Sequence, residues 1–307
     1  MTARMKRKFR NLSIAKKMML IYVCFGGFFF FIAMSGLQIS FHIYSQKLYE
    51  KSIQELDFFE QKVNDGLREI ENLSYRIAMD TTVQENLSEM LLLKYPSFDY
   101  NKKLYKMRNI IMNEQDTASS VQTIAYIDPN GIKLEAGIST WRIPQDSEEQ
   151  LIQQIKEANG AYVTYGPTEE CQYLLAGRKI RNRLDMSLND MGNLLLVCDV
   201  SQIIKSNKNR LEAQQAYIAV YSENDMIYCE EEAPAVQLPE YREVSGYRIV
   251  TRNGQKYFMC YMKSKETGWM YVNYFLYSDI YGQVQRMQYI MFFCFTCAFL
   301  LLIFSMK

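Results

Sequence analysis

The chain has 307 residues, 35 Lys and Arg against 34 Asp and Glu, and a formal net charge of +1. That balance excludes a global attraction to nucleic acid or to acidic substrates. A single histidine, His42, leaves metal sites without imidazole ligands, and the length accommodates two domains of ordinary size.

Positive charge is concentrated at the start. Arg4, Lys6, Arg7, Lys8, Arg10, Lys16 and Lys17 fall in the first seventeen residues with no acid among them. From Met18 to Gln46 no side chain carries a fixed charge. Met18–Leu37 alone is long enough to cross a bilayer, because about 20 apolar residues rising 1.5 Å each cover a hydrocarbon core of ~30 Å. The predicted order therefore opens with a basic cytoplasmic tail, 1–17, and a transmembrane helix, 18–41, with the N-terminus inside. The competing reading is a cleaved signal peptide, with Ala33-Met34-Ser35 as a faint cleavage-like site. The apolar run is longer than a typical signal core, so a retained span is the expectation.

A helix follows. Tyr49, Leu56, Val63, Ile70 and Ile77 recur every seven residues, Ile53, Phe59, Leu67 and Leu73 fill the intermediate turns, and no proline falls between His42 and Tyr95. The pattern predicts a rod of about 35 to 40 residues inside a long signalling or dimer segment, 42–99. A sustained heptad means either a dimer seam or a helix packed along its own domain, and different faces can serve both. A second helix, roughly Tyr100 to Glu114, follows Pro96.

The period then changes. VQTIAYIDPNGIKLEA, from Val121, alternates and is broken by Asp128-Pro129-Asn130-Gly131, a turn with proline and glycine in suitable places. AYIAVYSENDMIYCE, from Ala216, repeats the outline, with Ile218 aligned to Ile124. YLLAGRKI (from Tyr173) then GNLLLVCDVSQI (from Gly192) is matched by KYFMCYMK (from Lys256) then GWMYVNYFLYSDI (from Gly268). Each copy reads hairpin, intervening segment, two further strands and a short amphipathic helix. Such self-similarity predicts two related antiparallel-sheet units in tandem, over 100–206 and 207–282.

The last element is Tyr289–Met306, 18 residues without a charge, with Arg286 before it and Lys307 after it. It is near the minimum length for a span, and a second transmembrane helix, 286–306, is expected; a buried hydrophobic C-terminal helix is the alternative. Two spans place both termini in the cytoplasm and the middle of the chain outside. Of seven cysteines, Cys24, Cys294 and Cys297 then lie in the membrane, and Cys171, Cys198, Cys229 and Cys260 outside. Four external cysteines allow three connectivities. Cys171 and Cys198, on strands expected to be neighbours, are the favoured pair, and buried free thiols are the equal alternative.

This layout resembles the extracytoplasmic double Cache sensors, and its wording resembles one branch, the YesM/LytS-like sensor histidine kinases of Gram-positive bacteria. The phrases are NLSIAKKMMLIY before the first span, ENLSYRIAMD and QENL along the rod, AGRKI then GNLLLVCDVSQI, and ETGWMYVNYFLYSDIYGQV before the second span. The resemblance implies an α+β fold in which two transmembrane helices flank a long helix and two tandem PAS-like (Cache) antiparallel-sheet units. It further implies ligand binding in the membrane-distal unit, relay through the proximal one, a homodimer, and a bacterial cell membrane location. A kinase module beyond Lys307 would reach a response regulator; the alternatives are the input of another receptor type (a chemoreceptor, a cyclic-dinucleotide enzyme or a tethered transcription factor) and a stand-alone membrane-anchored binding protein.

No catalytic site, metal site or cofactor is expected within these residues. His42 sits at the outer end of the first span, no GxxxxGK[ST] loop is present, and the carboxylate clusters Glu169-Glu170 and Glu230-Glu231-Glu232 read as solvated turns. A binding site is expected instead. The resemblance places Trp141 and Arg142 in a loop over the pocket, Arg178 lies on an otherwise apolar strand, and Asp199 ends the last strand of the distal unit. Tryptophan stacks on a sugar or caps an apolar ligand, while arginine and aspartate fix polar groups. Tyr126, Tyr162, Tyr165 and Tyr173 add aromatic lining, core or surface being the plainer reading of each; Arg178 and Asp199 serve equally as a structural ion pair. In the amino-acid-sensing version of the family, Trp141 and Asp199 fit the motif. Ser139 replaces its arginine, Arg142 its aromatic and Thr168 its tyrosine. Free amino acids are therefore not the expected ligand, and a carbohydrate or another small metabolite is.

Overall fold

The computed structural model describes residues 14–137, 143–168, 170–185, 187–208, 217–222, 225–230 and 244–304. A single helix, α1 (Ile14–Met79), runs for 66 residues, where the sequence predicts a span and a separate shorter rod. Nothing in the stretch forces a break: it has no proline, and an interior glycine costs only about 1 kcal/mol. The helix ends at Met79 because Asp80 turns extended (ψ 129°) and its carboxylate accepts from Val83 N at 2.9 Å. That cap, worth about 1 kcal/mol, starts α2 (Thr81–Leu91). Ser97 caps α3 (Phe98–Asp116) in the same way, accepting from Tyr100 N at 3.2 Å.

The first sheet holds β1 (Val121–Ile127), β2 (Lys133–Gly137), β3 (Val163–Tyr165), β4 (Leu174–Arg181) and β5 (Asp190–Cys198), in the order β2-β1-β5-β4-β3. All four pairings are antiparallel. The predicted turn joins β1 to β2: Asp128 Oδ1 accepts from Asn130 N (3.0 Å) and Ile132 N (2.6 Å), and Gly131 takes a positive φ of 85°. Asp128 also accepts from the buried Tyr100 hydroxyl, whose pKa is pushed up to about 12, chiefly by burial. Two helices complete this half, α4 (Gln145–Ala158) between β2 and β3, and α5 (Val200–Lys208) after β5. The sequence marks α4 only as an intervening segment.

The second sheet holds β6 (Tyr217–Ser222), β7 (Asp225–Cys229), β8 (Ser245–Arg252), β9 (Gln255–Lys263) and β10 (Met270–Leu276), in the order β7-β6-β10-β9-β8. Strand for strand this is the order of the first sheet, so the internal repeat is real in three dimensions. Ile124 and Ile218, aligned by sequence, occupy equivalent strands and are 0 % and 3 % exposed. Among its described residues the second copy has no separate short helix; Tyr277 opens α6 (Tyr277–Phe304) directly after β10.

The chain divides into two compact units, one of Gln54–Gly246 with Tyr261–Asn273, the other of Met1–Ile53, Tyr247–Cys260 and Tyr274–Lys307. In the first, the heptad residues Leu56, Val63, Ile70 and Ile77, with Phe59 and Leu73, are each 3 % exposed or less. They pack within their own chain: Phe59 lies edge-on to Tyr271 at 5.9 Å, and a Cβ on Gly66 would stand 2.7 Å from Ile203 of α5. That face of the rod is core. In the second unit Phe25, Phe28, Phe29 and Phe31 are all at least 60 % exposed. Among the described residues α1 is the helix long and apolar enough to cross a membrane.

Cys171 and Cys198 are both buried free thiols. The favoured Cys171–Cys198 bridge is absent because the two residues occupy opposite faces of the sheet. Cys198 stands opposite Leu174, whereas Cys171 packs with Leu175 and Val197.

Candidate ligand-binding site

Strand alternation gives the first sheet two different faces. One face, Ala125, Leu175, Leu195 and Val197, packs on Leu151 and Ile155 of α4, with Cys171 fully enclosed. Gly177 permits the approach: a Cβ there would lie 2.5 Å from Ile155 Cδ1 and 2.8 Å from the Leu194 carbonyl. The opposite face carries Tyr126 and Arg178. Arg178 stands opposite Leu194 and is 6 % exposed. Its Nε donates to Ser74 Oγ of α1 at 3.0 Å, and its guanidinium lies over the rings of Tyr75 (5.4 Å) and Tyr162 (5.7 Å). Burial lowers its affinity for a proton, while Glu71 acts in the other direction. Tyr126 donates to the Met191 carbonyl at 2.6 Å, and burial, followed by the charge of Asp128, pushes its phenol up.

Asp199 lies elsewhere. Its Oδ1 accepts from Ser201 N (3.0 Å) and Ser201 Oγ (2.5 Å), opening α5, and its amide donates to the Ser120 carbonyl at 3.0 Å. Leu174, not Arg178, is the β4 residue level with the end of β5. Arg178 and Asp199 therefore form no ion pair, and the structure does not bring them to one place. Tyr165 and Tyr173 pack half-buried at the rim of the α4-side core. Trp141, Arg142 and Ser139 lie outside the described residues.

At the Asp199 end of the sheet a cleft of about 300 Å³ opens between Thr168, Tyr173, Asp199 and Ser201 on one side and Asp225, Tyr228 and Cys229 of β7 on the other. Burial and the neighbouring Asp199 raise the Tyr173 phenol. The carboxylate, hydroxyls and ring faces suit a small molecule that donates hydrogen bonds and offers a flat or apolar surface. Two further polar atoms on the α4 side have no partner: Thr123 Oγ1 and Asn193 Oδ1 are buried without a hydrogen bond. Their register, Thr123 opposite Val197 and Asn193 opposite Ile127, puts them on that face. Sequence reading passes over both, although a polar residue at an inward position of an alternating strand is the signal that marks them.

The fold is that of tandem PAS-like, Cache-type sensory domains. It matches the extracellular domain of a histidine kinase candidate, vpHK1S-Z8, with a TM-score of 0.53 at 13% identity, covering 78% of this chain and 95% of that one. It matches a domain of a candidate sensory box/GGDEF family protein from Vibrio parahaemolyticus with a TM-score of 0.52 at 13% identity, covering 76% and 97%. No protein-family model matches the chain. The sequence itself is homologous to the sensor histidine kinase YesM of Bacillus subtilis (strain 168), 25% identical over 97% of this chain. The chain spans 52% of the length of that kinase.

Proposed function

We propose that this chain is the extracellular ligand-sensing and transmembrane signalling portion of a two-component sensor histidine kinase. The observation that carries the reading is the homology to YesM along 97% of the chain; the sensory fold supports it. In this reading residues 18–41 and 286–306 both cross the bacterial cell membrane, both termini are cytoplasmic, and the receptor is a homodimer. A kinase module follows in the same reading frame and hands phosphate to a response regulator. The genomic sequence after the Lys307 codon tests this: an open frame into a histidine-bearing helix and an ATP-binding domain is expected. A different output domain would keep the sensor and sink the kinase.

The ligand, a carbohydrate or other small metabolite, occupies the cleft at Asp199. Trp141 and Arg142, which lie outside the described residues, are proposed as further ligand groups from the sequence alone. Tyr165 borders it. Arg178 and Tyr126, on the α1 side of the sheet, do not line this cleft. Asp199→Asn separates ligand contact from helix capping, since asparagine caps as well as aspartate. The variant should keep its thermal midpoint within about 1 °C and lose the stabilising shift that the parent shows in a panel of neutral mono- and disaccharides. An undiminished shift in Asp199→Asn would remove Asp199 from the site.

A further inference from the structure

We propose that Tyr281 is a positioning residue: its hydroxyl, bonded to Ser45, sets the register of α6 against α1 where the two helices leave the membrane. The proposal rests on the two-span reading above. Ser45 is 5 % exposed and Tyr281 is 0 % exposed. The Ser45 hydroxyl donates to the Phe41 carbonyl at 2.8 Å, so its one proton is committed. Its oxygen, 2.8 Å from Tyr281 Oη, therefore accepts from the phenol. The Tyr281 ring is held by Phe41 and Tyr277, each 4.3 Å away between centroids, and edge-on by Phe258 at 6.2 Å and Tyr44 at 6.3 Å. All of these residues belong to one compact unit.

Deeper in the same pair of helices the contacts are apolar. Phe30 meets Phe295 at 4.5 Å and Phe292 at 6.2 Å, and a Cβ on Gly26 would stand 3.7 Å from the Phe295 ring. One antiparallel register satisfies both levels, since Ser45 lies fifteen residues after Phe30 and Tyr281 fourteen before Phe295. The two levels differ in what they tolerate. Phenylalanine contacts are non-directional and re-form after a slip. A hydrogen bond does not: sliding by one residue moves a helix 1.5 Å and turns it by about 100°, which carries the hydroxyls out of bonding range. The buried Tyr281 hydroxyl would then be left without an acceptor. The pair therefore holds the outgoing helix in one rotational state, and a signal must supply enough free energy to break it.

The test uses the full chain in phospholipid vesicles, with Cys24, Cys294 and Cys297 changed to serine. Two cysteine pairs report the register by oxidative cross-linking: Phe30→Cys with Phe295→Cys, and Phe30→Cys with Thr296→Cys. The first pair is expected to dominate in the parent. Tyr281→Phe and Ser45→Ala should each shift the ratio of the two yields toward the second pair by about fivefold, and Ser45→Thr, which keeps the hydroxyl, should leave it unchanged. A ratio untouched by Tyr281→Phe overturns the positioning role alone. Absence of cross-linking through either pair in the parent overturns the pairing of the helices, and with it the two-span reading.

Discussion

Gly137→Ala is expected to destabilise the protein by about 4 kcal/mol or more, a loss in the range reserved for a few named mechanisms. Two of them coincide here. The residue has φ +124°, and a Cβ built on it would lie 2.2 Å from the Gln122 carbonyl oxygen and 2.9 Å from Thr123 Cα. Both obstacles are backbone of β1, which is hydrogen-bonded on each side to β2 and β5, so no side chain can swing away to make room. The left-handed φ adds strain of about 1–3 kcal/mol for a non-glycine residue. Gly131→Ala is the control. Its φ is +85° but nothing lies within 4 Å of its Cβ position, so it should show the backbone cost alone, about 1 kcal/mol. Thermal unfolding of the full chain in detergent compares the two. Equal losses would mean that the edge of the sheet relaxes and that the clash is not felt.

Adjacent phenylalanines on α1 should give opposite results. Phe59→Ala is expected to cost about 3–5 kcal/mol, the usual penalty for emptying a closed aromatic site, because Phe59 is 1 % exposed against Tyr271. Phe58 is 48 % exposed, and Phe58→Ala should change stability by no more than about 0.5 kcal/mol. The pair also bears on the proposed homodimer. The heptad residues are occupied inside their own chain, which leaves the Phe58 side of the helix to meet a second copy. If it does, Phe58→Ala will weaken self-association, measured by sedimentation, while leaving the monomer's unfolding midpoint alone. A large stability loss in Phe58→Ala would show that the outer face is core too.

Much of this architecture is legible in the sequence, and the exceptions have physical causes. The repeat was readable because both copies preserve alternation around a polar turn, and Asp128 with Gly131 suits the turn that forms. The heptad marked the buried face of α1 correctly, although periodicity alone does not say whether a seam is covered by a sheet or by another chain. The expected rod of about 35 to 40 residues from His42 reaches about as far as Met79, but periodicity does not announce the Asp80 cap, because the apolar pattern continues through Val83 and Leu87. The side chain of Arg178 could not be assigned to a face. Residues 174 to 178 of β4 are buried without exception, and a strand covered on both sides carries no inside–outside contrast to read. Family position marks Asp199 as a ligand group, yet the sequence Asp-Val-Ser also states its local task, to bond the Ser201 amide and hydroxyl and start a helix.

In each sheet the strand made last is the central one, β5 between β1 and β4, and β10 between β6 and β9. A helix leaves it at once, α5 from Val200 and α6 from Tyr277. Mechanically this is a particular choice of attachment. An edge strand loaded along its length has one row of hydrogen bonds and can be peeled; a central strand is gripped by two rows in shear. A pull on α6 is therefore resisted by neighbours on both flanks of β10, and the strand cannot creep by a residue without inverting every side chain it carries. Tension applied to the helix is delivered to the whole sheet at once, which makes the sheet, rather than any one strand, the working part of the linkage.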